Sequence, residues 1–428
     1  MRALIGLTLL AAAVANAAPL KLAVVYGHNA GSTGRPPLRF AQNDAARVAT
    51  MLVELAGIQP TDLKLLEGAA REDFDRALDW ATGRIAAAHK TPGAQAILYV
   101  YVSAHGADGK GLELGDQTLP WADLKARLTA TKADVRVAFL DACNSSGMLE
   151  ASGQPAAGFE LRADDRLTVT GEAVITSSAA NEPSLEAGAY KGSVFTHHLL
   201  AAFRGAADRS GDGRVSLEEA YRYAYARTVE GESGQHPGYA FKLSGHGELF
   251  VSALKTATTV ALPRNLDAVT ITQLESGDRY LEVRQPDARV LALPPGRWEL
   301  KIWHGGKASV ARLTLTSGQR VTLEDAAFAP VPASTAQLVR LSASPHYCVK
   351  KIDAEPALAT TAQQLTRALE AEEAHACFEG SLPASLTLRR ERAQRVRATG
   401  TVGTRPIDVV ADEAALAAEV AKALGTAL

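Results

Sequence analysis

The chain has 428 residues, 47% of them hydrophobic and 21% charged, which is too long for one ordinary core and too apolar for a disordered tail, a collagen-like rod or a coiled coil. Its 45 Lys and Arg stand against 47 Asp and Glu, a formal charge of -2, so there is no electrostatic footprint for a polyanion and nucleic acid is not an expected partner.

In chain order, residues 1–17 come first: Met1-Arg2, an apolar run from Ala3 to Val14, then Ala15-Asn16-Ala17. A basic start, a stretch too short to span a bilayer and a small-x-small end read as a cleaved signal peptide. A buried helix would not explain that order of features. No other segment reads as a transmembrane anchor, so the mature chain is expected to be exported, periplasmic or extracellular.

Residues 18–253 alternate short apolar runs with helical periods, the pattern of an α/β fold with a mostly parallel sheet flanked by helices. Ala45, Val48, Leu52 and Leu55 share one helical face behind Asn43-Asp44, which can cap its start, and Gly57 suits its end. The runs 96–102, 135–140 and 173–176 are nearly unbroken and predict central strands, and Pro120 precedes a helix carrying Trp121, Leu124 and Leu128. From 256 to 328 the period changes to two, with turns at Pro294-Pro295-Gly296 and Ser317-Gly318, predicting a small antiparallel β module, sandwich-like. Beyond the Pro-rich linker at 329–332, a C-terminal region of residues 334–428 is expected to contain helices at 358–373 and 413–424.

Two of the strand ends carry chemistry. The run Tyr99-Val100-Tyr101-Val102-Ser103-Ala104-His105-Gly106 ends on an imidazole; Val137-Ala138-Phe139-Leu140-Asp141-Ala142-Cys143-Asn144-Ser145-Ser146-Gly147 ends on a thiol. Open α/β sheets place their sites at the carboxyl ends of strands, and on neighbouring strands His105 and Cys143 would lie about 5 to 10 Å apart. A thiolate attacks a carbonyl, an imidazole moves the proton to a departing amine, and the N–H groups of Gly106 and Cys143 are placed to receive the oxyanion. A nucleophilic Cys143 of lowered pKa is expected to alkylate well below pH 8. The plainer alternative is a buried histidine and an inert core thiol. Of the other cysteines, Cys348 and Cys377 share one segment and are close enough in sequence to pair.

The His-Gly, the Asp-Ala-Cys-Asn-Ser-Ser-Gly, Thr176-Ser177-Ser178-Ala179 after a third strand, and Gln235-His236-Pro237 with Leu243-Ser244-Gly245 together resemble the caspase-like cysteine peptidases, in their bacterial, metacaspase-related branch, over about residues 20–253. The resemblance implies endopeptidase action through a covalent thioester, with His105 and Cys143 as a dyad and a protein or peptide as substrate. It also implies an acidic pocket for Arg or Lys built by Asp44 and Asp141, with Ser178 among the substrate-binding residues. A helix cap for Asp44 and a turn role for Asp141 remain the alternatives. In caspase-like enzymes the region 148–166 can hold a processing loop, with Arg162 or Arg166 as the cut site; a plain mobile loop is the other reading.

Residues 208–219 form a second motif. Asp208, Ser210, Asp212, Arg214, Ser216 and Glu219 fall at the six ligand positions of a calcium-binding EF-hand loop, with Gly213 at the bend and Ser at the third position in place of Asp or Asn. Ca²⁺ binding and a metal-free turn both fit. No organic cofactor is expected, and neither His197-His198 nor the other histidines have zinc-ligand spacing. The two functional expectations are an exported cysteine endopeptidase and a catalytically silent protein that keeps the fold as a binding scaffold.

Overall fold

The computed structural model describes residues 18–107, 110–152, 169–230, 234–245, 248–284, 289–331, 347–354, 382–392, 395–402 and 405–412, with Leu358, Thr361, Leu416 and Val420. The expected leader, the stretch 153–168 with Arg162 and Arg166, Cys377, and all but those four residues of the two expected C-terminal helices lie outside the described residues.

The chain opens with β1 (Leu20–Gly27), α1 (Ala41–Leu55), β2 (Leu63–Glu67), α2 (Arg71–Ala88) and β3 (Ala96–Ser103). A small antiparallel sheet follows, of β4 (His105–Gly106), β5 (Gly111–Leu114) and β6 (Gln117–Pro120), then α3 (Trp121–Ala130) and β7 (Val135–Asp141). Next come α4 (Gly147–Ser152), β8 (Thr170–Thr176), the short strands β9 (Glu186–Ala187) and β10 (Gly192–Ser193), α5 (Val194–Ala201), β11 (Arg214–Ser216), α6 (Leu217–Glu230), β12 (Gly238–Ser244) and β13 (Phe250–Ala253). The central sheet runs β12-β8-β7-β3-β1-β2, and only the edge strand β12 is antiparallel to its neighbour. This is the α/β architecture expected from the unbroken apolar runs.

Alternation along β1 explains why those runs are unbroken. Leu22, Val24 and Tyr26 turn to a core with Phe74 and Leu78 of α2 and Leu124 of α3. Ala23 and Val25 turn the other way, to a core with Val48 and Leu52 of α1 and Leu199 of α5. Both faces are dry, so both must be apolar. The helix expected to begin at Asn43-Asp44 begins instead at Ala41, because its exposed first N–H groups find acceptors elsewhere: the Glu186 carboxylate takes the N–H of Arg39 and Phe40, and Asn29 Oδ1 takes that of Gln42. Gly57 follows the helix end at φ 72°, a left-handed position that favours glycine.

The β module contains β14 (Thr259–Ala261), β15 (Ala268–Gln273), β16 (Arg279–Arg284), β17 (Val290–Ala292), β18 (Gly296–His304), β19 (Lys307–Leu315), β20 (Arg320–Thr322) and β21 (Ala329–Pro330). These make a three-stranded sheet, β17-β14-β20, and a five-stranded sheet, β16-β15-β18-β19-β21. All pairs are antiparallel except β14 with β20. Its apolar core around Trp298, Leu300 and Val269 also takes in Ala201 and Ala206 from the end of α5 and the turn after it. The last described elements are β22 (Tyr347–Ala354), β23 (Leu382–Arg392), β24 (Arg395–Val402) and β25 (Arg405–Asp412), a four-stranded sheet in that order. Among the described residues no helix is long and apolar enough to cross a membrane.

Candidate active site

Strands β3 and β7 are parallel neighbours with Ser103 opposite Asp141, and each chain then runs two residues on to its reactive side chain, His105 or Cys143. The turn is closed by the Ala104 N–H donating to the Asp141 carbonyl at 3.2 Å. Equal overhang from equal register puts the imidazole and the thiol on one rim of the sheet, and both line a single cavity of about 20 Å³ together with Leu38, Ser103, Asp141, Ser184, Glu186 and Ser193. On its other side Cys143 borders a wider cleft of about 420 Å³ with Asn144, Asn181, Glu182 and Pro183.

His105 is held by its own strand and by the 28–38 loop. Its Nε2 is buried without a hydrogen-bond partner. Burial pushes the His105 pKa down, and the Arg35 guanidinium nearby pushes it the same way, against the pull of Glu113. Glu113 is itself lifted by burial but held below the ordinary carboxyl range overall by the Ser32 N–H and by Arg35, which sits 2.5 Å away. An imidazole in this setting is neutral at pH 7.

Cys143 is half-buried, and its Sγ accepts the Ser184 N–H at 3.3 Å. Burial raises the thiol pKa, the Ser184 N–H works against this, and the Asp141 charge adds to it. The expectation of a lowered thiol pKa is therefore overturned in the free protein: desolvation outweighs the single N–H. The resting pair is a thiol and a neutral imidazole.

Gly106 lies against the nucleophile turn. A Cβ there would stand 2.0 Å from the Cys143 carbonyl oxygen. The Ala107 N–H bonds Gly111 O, and hydrogen-bonded pairs alternate along an antiparallel ladder. Gly106, opposite Leu112, therefore turns its N–H and C=O away from β5. Its carbonyl accepts Arg35 Nη1 at 2.8 Å.

Asp141 lines the cavity and is almost fully buried, its two oxygens each taken by a hydroxyl at 2.5 Å, Ser184 Oγ and Thr196 Oγ1. Tyr101 extends this chain through Thr196 at 2.8 Å. Asp44 lies one layer deeper and does not line the cavity. Its Oδ2 accepts the Ser193 N–H at 2.7 Å, its Oδ1 has no hydrogen-bond partner, and Arg47 Nη1 stands 3.9 Å away. Burial lifts its pKa well above the ordinary carboxyl range against the pull of Arg47. Ser178 is fully buried outside the cavity, where its Oγ donates to the Ala142 carbonyl at 3.1 Å and braces the residue before the nucleophile.

The raised Asp44 carboxyl makes a stability prediction. Its folded pKa lies above its unfolded value, so the stability it contributes is full at low pH and is lost as pH rises through the folded value. Glu186, also raised by burial, acts in the same direction. Asp44→Asn, which keeps an acceptor for Ser193, is expected to raise Tm more at pH 8 than at pH 5; an equal effect at both would contradict the assignment.

Four side chains of the site carry no signal in the sequence: Ser184, Glu186, Arg35 and Glu113 are reached only by folding. Gln235, in the Gln235-His236-Pro237 motif, has a structural part. Buried, it donates through Nε2 to Ser177 O at 2.8 Å and accepts the Leu185 N–H at 3.3 Å, fastening the segment that bears Ser184.

In the 208–219 loop, Asp208 accepts the N–H groups of Gly211 and Gly213, Asp212 pairs with Arg214, and Glu219 forms a reciprocal cap with Ser216. Ser210 Oγ donates to Asp208. The loop's polar atoms are satisfied by its own chain, and among the described residues no three His, Cys, Asp or Glu gather as a metal centre. His197 and His198 are buried beside each other with ring centroids 5.3 Å apart.

A thiol and an imidazole thus stand on adjacent strand ends and line one cavity. The chain belongs to the caspase domain family, whose profile matches residues 20–246. Among solved structures, the crystal structure of caspase-1 from Spodoptera frugiperda is similar at 15% identity and a TM-score of 0.37, over 56% of this chain and 92% of that one. No curated protein matches the sequence. The family is one of cysteine peptidases, with proteins as substrates.

Proposed function

We propose that the protein is a cysteine endopeptidase that cleaves after basic residues. The observation that carries this reading is the convergence of His105, Cys143, Asp141 and Glu186 on one cavity. His105 Nε2 takes the Cys143 proton as sulfur attacks the scissile carbonyl, the N–H groups of Gly106 and Cys143 hold the oxyanion, and the same imidazole returns the proton to the departing amine. Water then hydrolyses the thioester. Carboxylates at the wall and floor of the cavity favour a cationic P1 side chain and repel an acidic one.

A cavity of about 20 Å³ holds about one water, so an arginine enters only as the Ser184–Glu186 segment gives way. That closed state also favours a second reading, a caspase-fold binding protein without turnover. A panel of peptidyl coumarins decides between them. Release is expected with Arg or Lys at P1 and not with Asp; preference for Asp overturns the acidic pocket, and no release with any peptide favours the scaffold.

For the 208–219 loop we propose a calcium form in which Glu219 leaves its cap on Ser216 and turns toward Asp208 and Asp212. Gly213 at φ 80° already supplies the bend that such a loop needs. Millimolar Ca²⁺ is expected to raise Tm, reversed by chelator; an unchanged transition removes the site.

A further inference from the structure

The β module touches the catalytic unit at the part of it that shapes the substrate cavity. Glu186 and Ser193, which line that cavity, belong to β9 and β10, the paired ends of the 186–193 hairpin. Beneath the hairpin lies Arg47 of α1. Its Nη1 donates to the Tyr190 carbonyl at 3.2 Å, its Nη2 donates to the Tyr280 carbonyl of the module at 3.3 Å, and Nη1 stands 3.9 Å from Asp44.

The module's strand β16 supplies the rest of the grip. The Tyr280 ring lies 4.9 Å from the guanidinium of Arg204, which is buried, pairs with Glu54 at 3.0 Å and donates to the module's Ala292 carbonyl at 3.5 Å. Arg279 places its guanidinium 6.0 Å from the Tyr190 ring, and that ring stacks on His197 at 3.8 Å. Asp278 pairs with Lys191 at the hairpin tip. Lys191 has φ 44° and its carbonyl accepts Asn43 Nδ2 at 2.5 Å. A left-handed lysine at a hairpin tip is a backbone that needs such outside contacts to hold it.

We propose that Arg47 is a positioning residue through which the β module braces the 186–193 hairpin, making the module a structural part of the specificity pocket. The hairpin is two strands of two residues, a pairing too short to hold its own geometry. Its shape comes from α1 on one side and β16 on the other, and Arg47, itself on α1, bonds both the hairpin and β16. Lys191 is exposed, so its pair with the half-buried Asp278 adds little; the half-buried Arg47 and Arg279 and the buried Arg204 carry the brace.

The role of the pocket rests on the peptidase reading, while the brace itself does not, so the test has one arm for each. In the full chain, Arg47→Met removes both carbonyl bonds at similar length. It is expected to raise KM for a peptidyl-Arg coumarin at least about tenfold, through the loss of both charge-assisted hydrogen bonds, with kcat and the iodoacetamide rate at Cys143 little changed. Arg47→Lys is expected to recover part of that loss. Independently of turnover, amide hydrogen exchange over 186–193 is expected to speed in Arg47→Met. Should that variant not fold, Arg279→Ala, which loosens the hairpin from the module side, is expected to give the same KM rise and faster exchange. Unchanged exchange in a folded variant overturns the brace, and unchanged KM beside faster exchange overturns its role in specificity. Absence of turnover in the wild type overturns the peptidase reading and leaves the brace to the exchange result.

Discussion

Replacing Cys143 with alanine is expected to remove peptide hydrolysis by a factor on the order of 10⁴ or more, the loss usual when a covalent nucleophile is deleted, with little change in Tm. The second half follows from the surroundings. Sγ receives a single bond, from the Ser184 N–H, and the thiol is only half-buried, so its removal opens a small void and frees one backbone donor. His105→Ala should fall nearly as far, because with a raised thiol pKa the imidazole is the group that makes the thiolate. The two losses should not add: a base without its nucleophile, or the reverse, is worth little. A Cys143→Ala protein that keeps the wild-type rate would place the chemistry elsewhere.

Gly106→Ala is expected to cost on the order of 10² to 10³ in kcat, the scale of a lost oxyanion donor, through a residue that itself has no side chain. The added methyl would fall 2.0 Å from the Cys143 carbonyl oxygen and 2.9 Å from its carbon, and both strand ends are tied down by the bond from Ala104 N–H to the Asp141 carbonyl. Neither neighbour is a flexible side chain. The turn bearing the nucleophile must therefore shift against the imidazole, and the Gly106 N–H moves with it. Activity within a few fold of wild type would show that Gly106 stands outside the machinery. A companion loss of Tm is expected, since Arg35 bonds the Gly106 carbonyl.

The sheet was legible because burial on both faces writes itself as unbroken apolar runs, and the shared rim of His105 and Cys143 was legible because both sit directly at the ends of those runs. His105 and Cys143 needed only the inference that β3 and β7 are neighbours. The walls of the cavity were not legible. Ser184, Glu186 and Ser193 come from a segment whose strands are two residues long, where no period exists to be read. Asp44, expected in the acidic pocket or as a helix cap, is neither a lining residue of the cavity nor the cap: α1 starts three residues earlier, at Ala41, and Glu186 and Asn29 from distant chain take the first N–H groups. The raised thiol pKa is hidden from the sequence for a related reason: desolvation depends on the segment folded over the sulfur, and sequence neighbours do not report it.

The most direct measurement is the mass of the folded, reduced protein after exposure to a peptidyl-arginyl halomethyl ketone. The account predicts one equivalent bound at Cys143, slowed by a competing arginyl peptide and absent from Cys143→Ala and His105→Ala alike. Label at Cys348 or Cys377 in equal measure, or none at Cys143 in protein shown to be folded, would contradict it.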